Sequence, residues 1–182
     1  MTSVPRLRTI LQRHDVNALN LSIRHALPDP GTTLAWARGE TFAFVLYYAQ
    51  GTSEVDRRKV ARWTRELVDA ALEVGGSYYL PYQPHASLAQ LRRAYPGFDR
   101  LIALKRRVDP EHRFRDRLLD RYDPPWNDPR HRARRALHGT PSRIRREEQT
   151  FLTLPEWYIV FAAEEYAAHL AHHRPSSMPY FG

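Results

Sequence analysis

Cysteine is absent from this chain of 182 residues. Without a thiol the chain has no disulfide, no thiolate metal ligand and no cysteine nucleophile, and its redox compartment is left open. Long apolar runs are also missing: no stretch approaches the roughly 20 apolar residues that span a bilayer, and the N-terminus lacks the apolar core of a signal peptide. We therefore expect a cytoplasmic protein, with peripheral contact to a membrane as the alternative.

Lysine is scarce: the chain has only two, Lys59 and Lys105. The formal net charge of +8 therefore rests mainly on its 26 arginines. Residues 105–146 hold 14 of these cations against six acids, a stripe that can bind phosphate backbones through counterion release. No helix-turn-helix, zinc-finger or RNA-binding signature accompanies the stripe, so we do not expect nucleic acid as a partner. The arginines of 130–146, beside the aromatic segment WYIVF, leave contact with an anionic membrane surface open.

A metal site is not predicted. His169, His172 and His173 are spaced i, i+3 and i+4, but no carboxylate cluster accompanies them. A chance surface group is therefore favoured over zinc.

Three stretches have the pattern of β-strands. Residues 16–27 place Leu19, Leu21 and Ile23 two apart with polar residues between them, which predicts a half-buried strand. Residues 41–50 are almost continuously aromatic and aliphatic, which predicts burial on both faces. The third strand, SYYLPY, follows two glycines.

A helix is predicted between the second and third strands. Ser53 followed by Asp56 resembles a capping box, and Gly75-Gly76 end the helix. Apolar residues recur between them at helical spacing: Val60, Trp63, Leu67, Ala71 and Val74. The order strand, strand, helix, strand predicts an α+β fold, an antiparallel sheet with a covering helix on one face.

Short helices are predicted over residues 87–122, separated at Tyr95-Pro96-Gly97 and at Asp109-Pro110, because proline disfavours helix in the residue before it. The proline- and arginine-rich residues that follow are a predicted linker. The expected organisation is a lead-in (1–15), a main portion (16–122), a linker (123–141) and a helical extension (142–182).

The two ends differ in their expected structure. The lead-in should carry almost no structure before the first strand. The extension should begin a helix at Pro155 and place Trp157, Phe161 and Leu170 on one apolar stripe. Both ends are expected to be cut from a longer protein.

Two segments carry a resemblance. The stretch GGSYYLPY, followed by AYPGFDRLIALKRRVDPEHRFRDRLLDRY, resembles the C-terminal end of flavin-dependent oxidoreductases of the vanillyl-alcohol-oxidase superfamily. The branch it most resembles holds aldonolactone oxidases, alditol oxidases and decaprenylphosphoryl-ribose oxidase. AYP, about a dozen residues and then (K/R)RxDPxxxF is the most specific part.

The resemblance implies a cap and C-terminal portion without its FAD domain. Residues 16–83 would end the cap, whose helix-covered sheet closes over the flavin, and residues 87–122 would return to the FAD domain. That domain of the parent protein would be the partner. Because the sequence shows no glycine-rich loop for a dinucleotide, we expect the chain alone to bind FAD weakly or not at all.

Two tyrosines fall at positions that lie beside the flavin in the proteins that this chain resembles. Tyr82 falls where the relatives have an active-site lysine beside the flavin, and a tyrosine hydroxyl can only donate or accept a hydrogen bond until high pH. Tyr79 falls where relatives contact the flavin. Packing in a core is the alternative for both, and for Tyr78 beside them. His85, or else His25, is a candidate base for a substrate hydroxyl, and Gln83 would face the same cavity.

The first two strands carry the remaining candidates. Ser22 and Arg24 lie on one face and match positions where alditol oxidases have a glutamate and an arginine. Arg24 would hold a polyol or stabilise reduced flavin, and a surface salt bridge is its alternative role. Tyr47 lies near a substrate-contacting position, and a core tyrosine is the alternative.

Two functions fit these features. The first is the cap and C-terminal part of an FAD-dependent oxidoreductase that oxidises a sugar-like alcohol or lactone. The second is a non-catalytic basic module that binds an anionic membrane or nucleic acid.

Overall fold

The computed structural model describes residues 3–81, 84–123 and 156–162. Helices and strands mix along the chain in the order α1 (Ser3–Arg13), β1 (Ala18–Ala26), β2 (Thr41–Tyr48), α2 (Glu54–Glu73), β3 (Ser77–Tyr78), α3 (Leu88–Ala94), α4 (Phe98–Val108), α5 (Arg117–Tyr122) and β4 (Glu156–Ala162). This mixture of helices and strands confirms the predicted α+β class. The predicted breaks between the short helices are confirmed as well.

The sheet has the strand order β1-β2-β4-β3, and every neighbouring pair is antiparallel. It follows that β2 and β3 run parallel, separated by β4 and joined through α2. Only three strands were predicted from the sequence, and β4 was not among them. The insertion of β4 places β1 and β3 at opposite edges.

The predicted helix is wrong for residues 156–162, which form β4. Trp157 and Phe161 lie four residues apart, a spacing that puts two side chains on one face of a helix and of a strand alike. The aromatic and β-branched segment EWYIVFA pairs on both sides, with β2 and with β3, and this tertiary pairing decides between the two. Pro155 and Leu170 lie outside the described residues, as does most of the predicted linker and extension.

The core lies between the sheet and the helices. Phe44, Leu46 and Tyr48 of β2 join Trp63 and Leu67 of α2 in one cluster of buried residues. On the other face of β2, Ala43 and Val45 are buried as well, which confirms the predicted burial of this strand on both faces.

The predicted signals at both ends of α2 are confirmed. Ser53 Oγ accepts a hydrogen bond from Asp56 N at 3.1 Å. At the other end Gly76 N donates to Ala71 O at 2.8 Å, and Gly75 adopts a φ of 76°, a left-handed conformation that favours glycine.

The expectation of an unstructured lead-in is wrong, because α1 packs on the core. Leu7 and Ile10 of α1 are buried in the same cluster as the α2 residues. Arg6 pairs with Glu73 of α2, and Arg13 pairs with Glu66. The apolar residues of α1 recur three and four apart, so its periodicity is present in the sequence.

Two strands depart from the sequence pattern. The third strand is shorter than the predicted SYYLPY, because β3 ends at Tyr78. Leu80-Pro81 form a turn, since Pro81 has no N–H with which to continue the hydrogen-bond ladder. The alternating apolar residues of β1 are not half-buried as predicted: Leu21 is 42% exposed and Ile23 43%. The helices cover β2 and leave this edge strand open.

No described helix has both the length and the apolar character to cross a bilayer.

Candidate functional site

One face of the sheet gathers three of the predicted site residues, Ser22, Arg24 and Tyr47. Across β1 and β2 the register pairs Ser22 with Val45, Arg24 with Ala43 and Asn20 with Tyr47. Residues paired across an antiparallel ladder point to the same side, and alternate residues along a strand share a face. Phe44 and Leu46 face the helices, so these three residues lie on the opposite face. We call it the open face because the core cluster lies on the other side of the sheet, although Ala43 and Val45 are buried on it.

The open face carries hydroxyl, guanidinium and phenol groups. Ser22 and Tyr47 are half-buried, and Arg24 is exposed. Within the described residues, the Oγ atom of Ser22 is buried and has no hydrogen-bond partner. Leaving a buried hydroxyl unsatisfied costs about 1–3 kcal/mol, so this group is prepared to bond to a polar ligand.

Replacing Ser22 tests whether its hydroxyl is unsatisfied in the free protein. We expect Ser22→Ala to leave the free energy of unfolding unchanged or to raise it by up to about 1 kcal/mol, because no hydrogen bond is lost. Ser53→Ala is the matched control, and it should lower stability by about 1 kcal/mol because the N-cap of α2 is removed. Urea denaturation measures both. A loss at Ser22 as large as that at Ser53 would show that the Ser22 hydroxyl is already paired.

Tyr79 lies near the other edge of the sheet. It follows β3 and packs edge-on against Trp36, with ring centroids 5.7 Å apart. Ser77 Oγ of β3 donates to Trp36 O at 2.6 Å, which holds the 27–40 loop beside this strand. Since three strand spacings separate β1 from β3, Tyr79 lies roughly 14 Å from the β1 residues. Tyr82 and Gln83, which were to complete the site, lie outside the described residues.

The neighbouring tyrosine belongs to the core. Tyr78 is 3% exposed, and its ring packs edge-on against Tyr95 with centroids 5.7 Å apart. The Tyr95 hydroxyl donates to the Tyr78 carbonyl. Burial raises the pKa of both phenols, so both stay protonated. The core alternative therefore applies to one tyrosine of the run SYYLPY, and Tyr79 keeps partial exposure.

His85 does not join the open face. The Nε atom of Arg65, on α2, donates to His85 O at 2.7 Å, which places His85 on the helix side of the sheet. Burial, and then the charges of Arg121 and Arg65, lower the pKa of His85 to about 4. The imidazole is neutral at pH 7 but too weakly basic for the role that its usual pKa had suggested. A sequence cannot show this, because both arginines are distant in the chain.

His25, the other candidate base, also lies on the helix side. It pairs in register with Phe42, and the two rings are tilted with centroids 5.2 Å apart. Its Nε2 atom lies 2.7 Å from Glu40 Oε1. Neither histidine reaches the open face.

The segment with the most specific resemblance forms a locked turn after α4. Asp109 accepts hydrogen bonds from Arg113 N at 2.8 Å and from Phe114 N at 3.0 Å, and it pairs with Lys105. Lys105 Nζ also donates to Phe114 O at 2.6 Å. The Lys105 ammonium, followed by the backbone donors, lowers the pKa of Asp109 to about 2. No role was predicted for Lys105 or Asp109 from the sequence.

The turn from β2 to α2 does not fit the phosphates of a dinucleotide. Dinucleotide pyrophosphates bind where a glycine-rich turn connects a strand to a helix N-terminus. The turn from β2 to α2 has that connection, but the carboxyl group of Asp56 occupies the space beside Gly51 where a phosphate would approach. A carboxylate there repels phosphate, and Ser53 Oγ, 2.6 Å from Asp56 Oδ2, is already engaged.

No family model, curated protein or solved structure matches the chain. The resemblance to flavin-dependent oxidoreductases therefore remains a prediction from the residues quoted above.

Proposed function

We propose that the open face is the substrate-facing wall of an FAD-dependent oxidoreductase acting on a sugar-like alcohol or lactone. The chain would supply the cap and C-terminal portion, and a separate FAD domain of the parent protein would hold the cofactor. The observation that carries the proposal is the convergence of Ser22, Arg24 and Tyr47 on the face opposite the helices. Such a face matches a polyhydroxy ligand, which both donates and accepts hydrogen bonds.

In this proposal Ser22, Arg24 and Tyr47 bind the substrate and orient it. The Arg24 guanidinium presents donors to hydroxyl or carbonyl oxygens of the ligand, and it favours negative charge near them. Ser22 Oγ, unsatisfied within the described residues, would both donate and accept. Tyr47 adds a phenol beside them. No base is assigned, because His85 and His25 lie on the other side of the sheet.

Titration of the isotope-labelled chain with an alditol and with an aldonolactone, followed by amide NMR shifts, tests the proposal. We expect shifts confined to residues 20–24 and 43–47. Arg24→Gln should weaken binding at least tenfold, because a hydrogen bond to a charged group contributes about 1.5–3 kcal/mol. Arg58→Gln, on the exposed surface of α2, is the matched control and should bind as the wild type does. Shifts centred elsewhere, or equal loss in both variants, would refute the assignment.

The alternative, a basic binding module, has less support among the described residues. Three cations of the basic stripe are paired with carboxylates: Lys105 with Asp109, Arg106 with Asp123 and Arg115 with Asp120. Such pairing reduces the local field that would attract phosphates. The arginines of 130–146 lie outside the described residues. Co-sedimentation with anionic vesicles distinguishes this alternative from the proposal above.

A further inference from the structure

The outer edge of β1 is open and apolar. β1 ends the described sheet, and its apolar side chains are exposed by 51% at Leu19, 42% at Leu21 and 43% at Ile23. Natural edge strands are usually protected by lysine, proline or inward-pointing charge. The strand ALNLSIRHA has no lysine or proline, and its one arginine lies on the opposite face from Leu21 and Ile23. An edge of this kind is a template for another strand.

We propose that β1 pairs antiparallel with β1 of a second copy of this chain, about a two-fold axis at Ser22. This register places Leu21 opposite Ile23 of the second copy, and Ile23 opposite Leu21. On the open face it places Asn20 opposite Arg24. The two sheets then form one continuous sheet.

The strand's own pattern selects this register and this partner. Each face matches itself under the two-fold axis, since aliphatic residues meet on one side and polar residues on the other. An axis at Arg24 would place two arginines directly opposite each other, which is repulsive. An axis at Leu21 would bring Leu19 into the pairing, where the β1–β2 register shifts between Ala18 and Asn20. The axis at Ser22 keeps the paired residues 20–24 clear of that irregularity.

The two-fold pairing also limits the assembly to a dimer. An isologous contact uses the same edge of both copies, so no β1 edge remains for a third. The other edge of the described sheet, β3, is two residues long and offers little for pairing. Strand pairing alone buries less than a standard interface of about 1,600 Å², so we expect a weak, reversible dimer.

Sedimentation equilibrium of the whole chain over a range of concentrations is the first test. We expect the apparent mass to rise reversibly from 21.3 kDa towards twice that value. A wild-type chain that stays monomeric up to about 1 mM, a concentration at which even weak complexes form, would overturn the proposal.

A charge-swap experiment tests the register. Leu21→Lys and Ile23→Glu should each weaken self-association at least tenfold, because a charge faces an aliphatic side chain twice per dimer. An equimolar mixture of the two variants should associate again, since the introduced lysine then lies opposite the introduced glutamate. The control is Val108→Lys at the end of α4, where the valine is 68% exposed, and this variant should associate as the wild type does. Variants that still dimerise alone, or a mixture that stays monomeric, would overturn this register.

Discussion

Gly97→Ala is expected to lower the free energy of unfolding by about 2–3 kcal/mol, because an added methyl group overpacks a close contact. A Cβ atom at position 97 would overlap the carbonyl oxygen of Thr33 and would lie 3.0 Å from its Cγ2. The φ of Gly97 is −76°, which alanine adopts without strain, so the loss comes from the clash alone. The backbone of the 27–40 loop would have to move away from the N-terminus of α4.

The control for this prediction is Gly39→Ala in the same loop. No atom lies within 4 Å of a Cβ built at Gly39. Urea denaturation should therefore find this variant within about 0.5 kcal/mol of the wild type. Equal effects of the two alanines would mean that the loop does not approach Gly97 as closely as the structure shows.

Asp109→Ala is expected to lower Tm by roughly 5–10 °C, because it removes several interactions at once. The carboxylate accepts two backbone N–H groups of the turn after α4 and pairs with Lys105, which is 13% exposed. Asp109 is 6% exposed, so its removal takes a partner shielded from water away from Lys105 and from the two N–H groups. The control is Asp99→Ala, which removes an exposed carboxylate in the first turn of α4 and should change Tm little.

The pH dependence of this effect has a definite sign. The pKa of Asp109 falls from its ordinary value of 3.8 to about 2 in the folded protein. A lowered carboxyl pKa contributes stability that is complete above the unfolded value and is lost as pH falls through the folded value. Thermal melts should therefore show the wild type and Asp109→Ala converging between about pH 4 and pH 2. A difference in Tm that stays constant across this range would contradict the assignment.

These two positions bear on the resemblance as well. Gly97 directly follows the AYP of the pattern most specific to the resemblance, and Asp109 belongs to its DPxxxF part. Each has a folding role here, one as a close approach between loop and helix and the other as the lock of a turn. In this chain the two positions therefore stabilise the structure, and neither is evidence for a chemistry. The proposed function therefore rests on the open face.

The local elements were predictable from the sequence. The N-cap at Ser53, the glycine stop after α2 and the proline breaks between short helices act within a few residues, so their signals survive any tertiary context. The apolar run of β2 likewise predicted a central strand. The common face of Ser22 and Arg24 followed from their spacing of two.

Non-local pairing decided the rest. Residues 156–162 become a strand because β2 and β3 leave a gap that two ladders of hydrogen bonds fill, and a spacing of four cannot distinguish helix from strand. That insertion moves Tyr79 away from Arg24, and the packing beside Arg65 and Arg121 makes His85 a poor base. By itself the sequence determined α2 and its ends, the breaks between the short helices and the polar pattern of β1. Only the tertiary structure decided which strands are neighbours and which side chains share a face, because those depend on contacts between residues far apart in the chain.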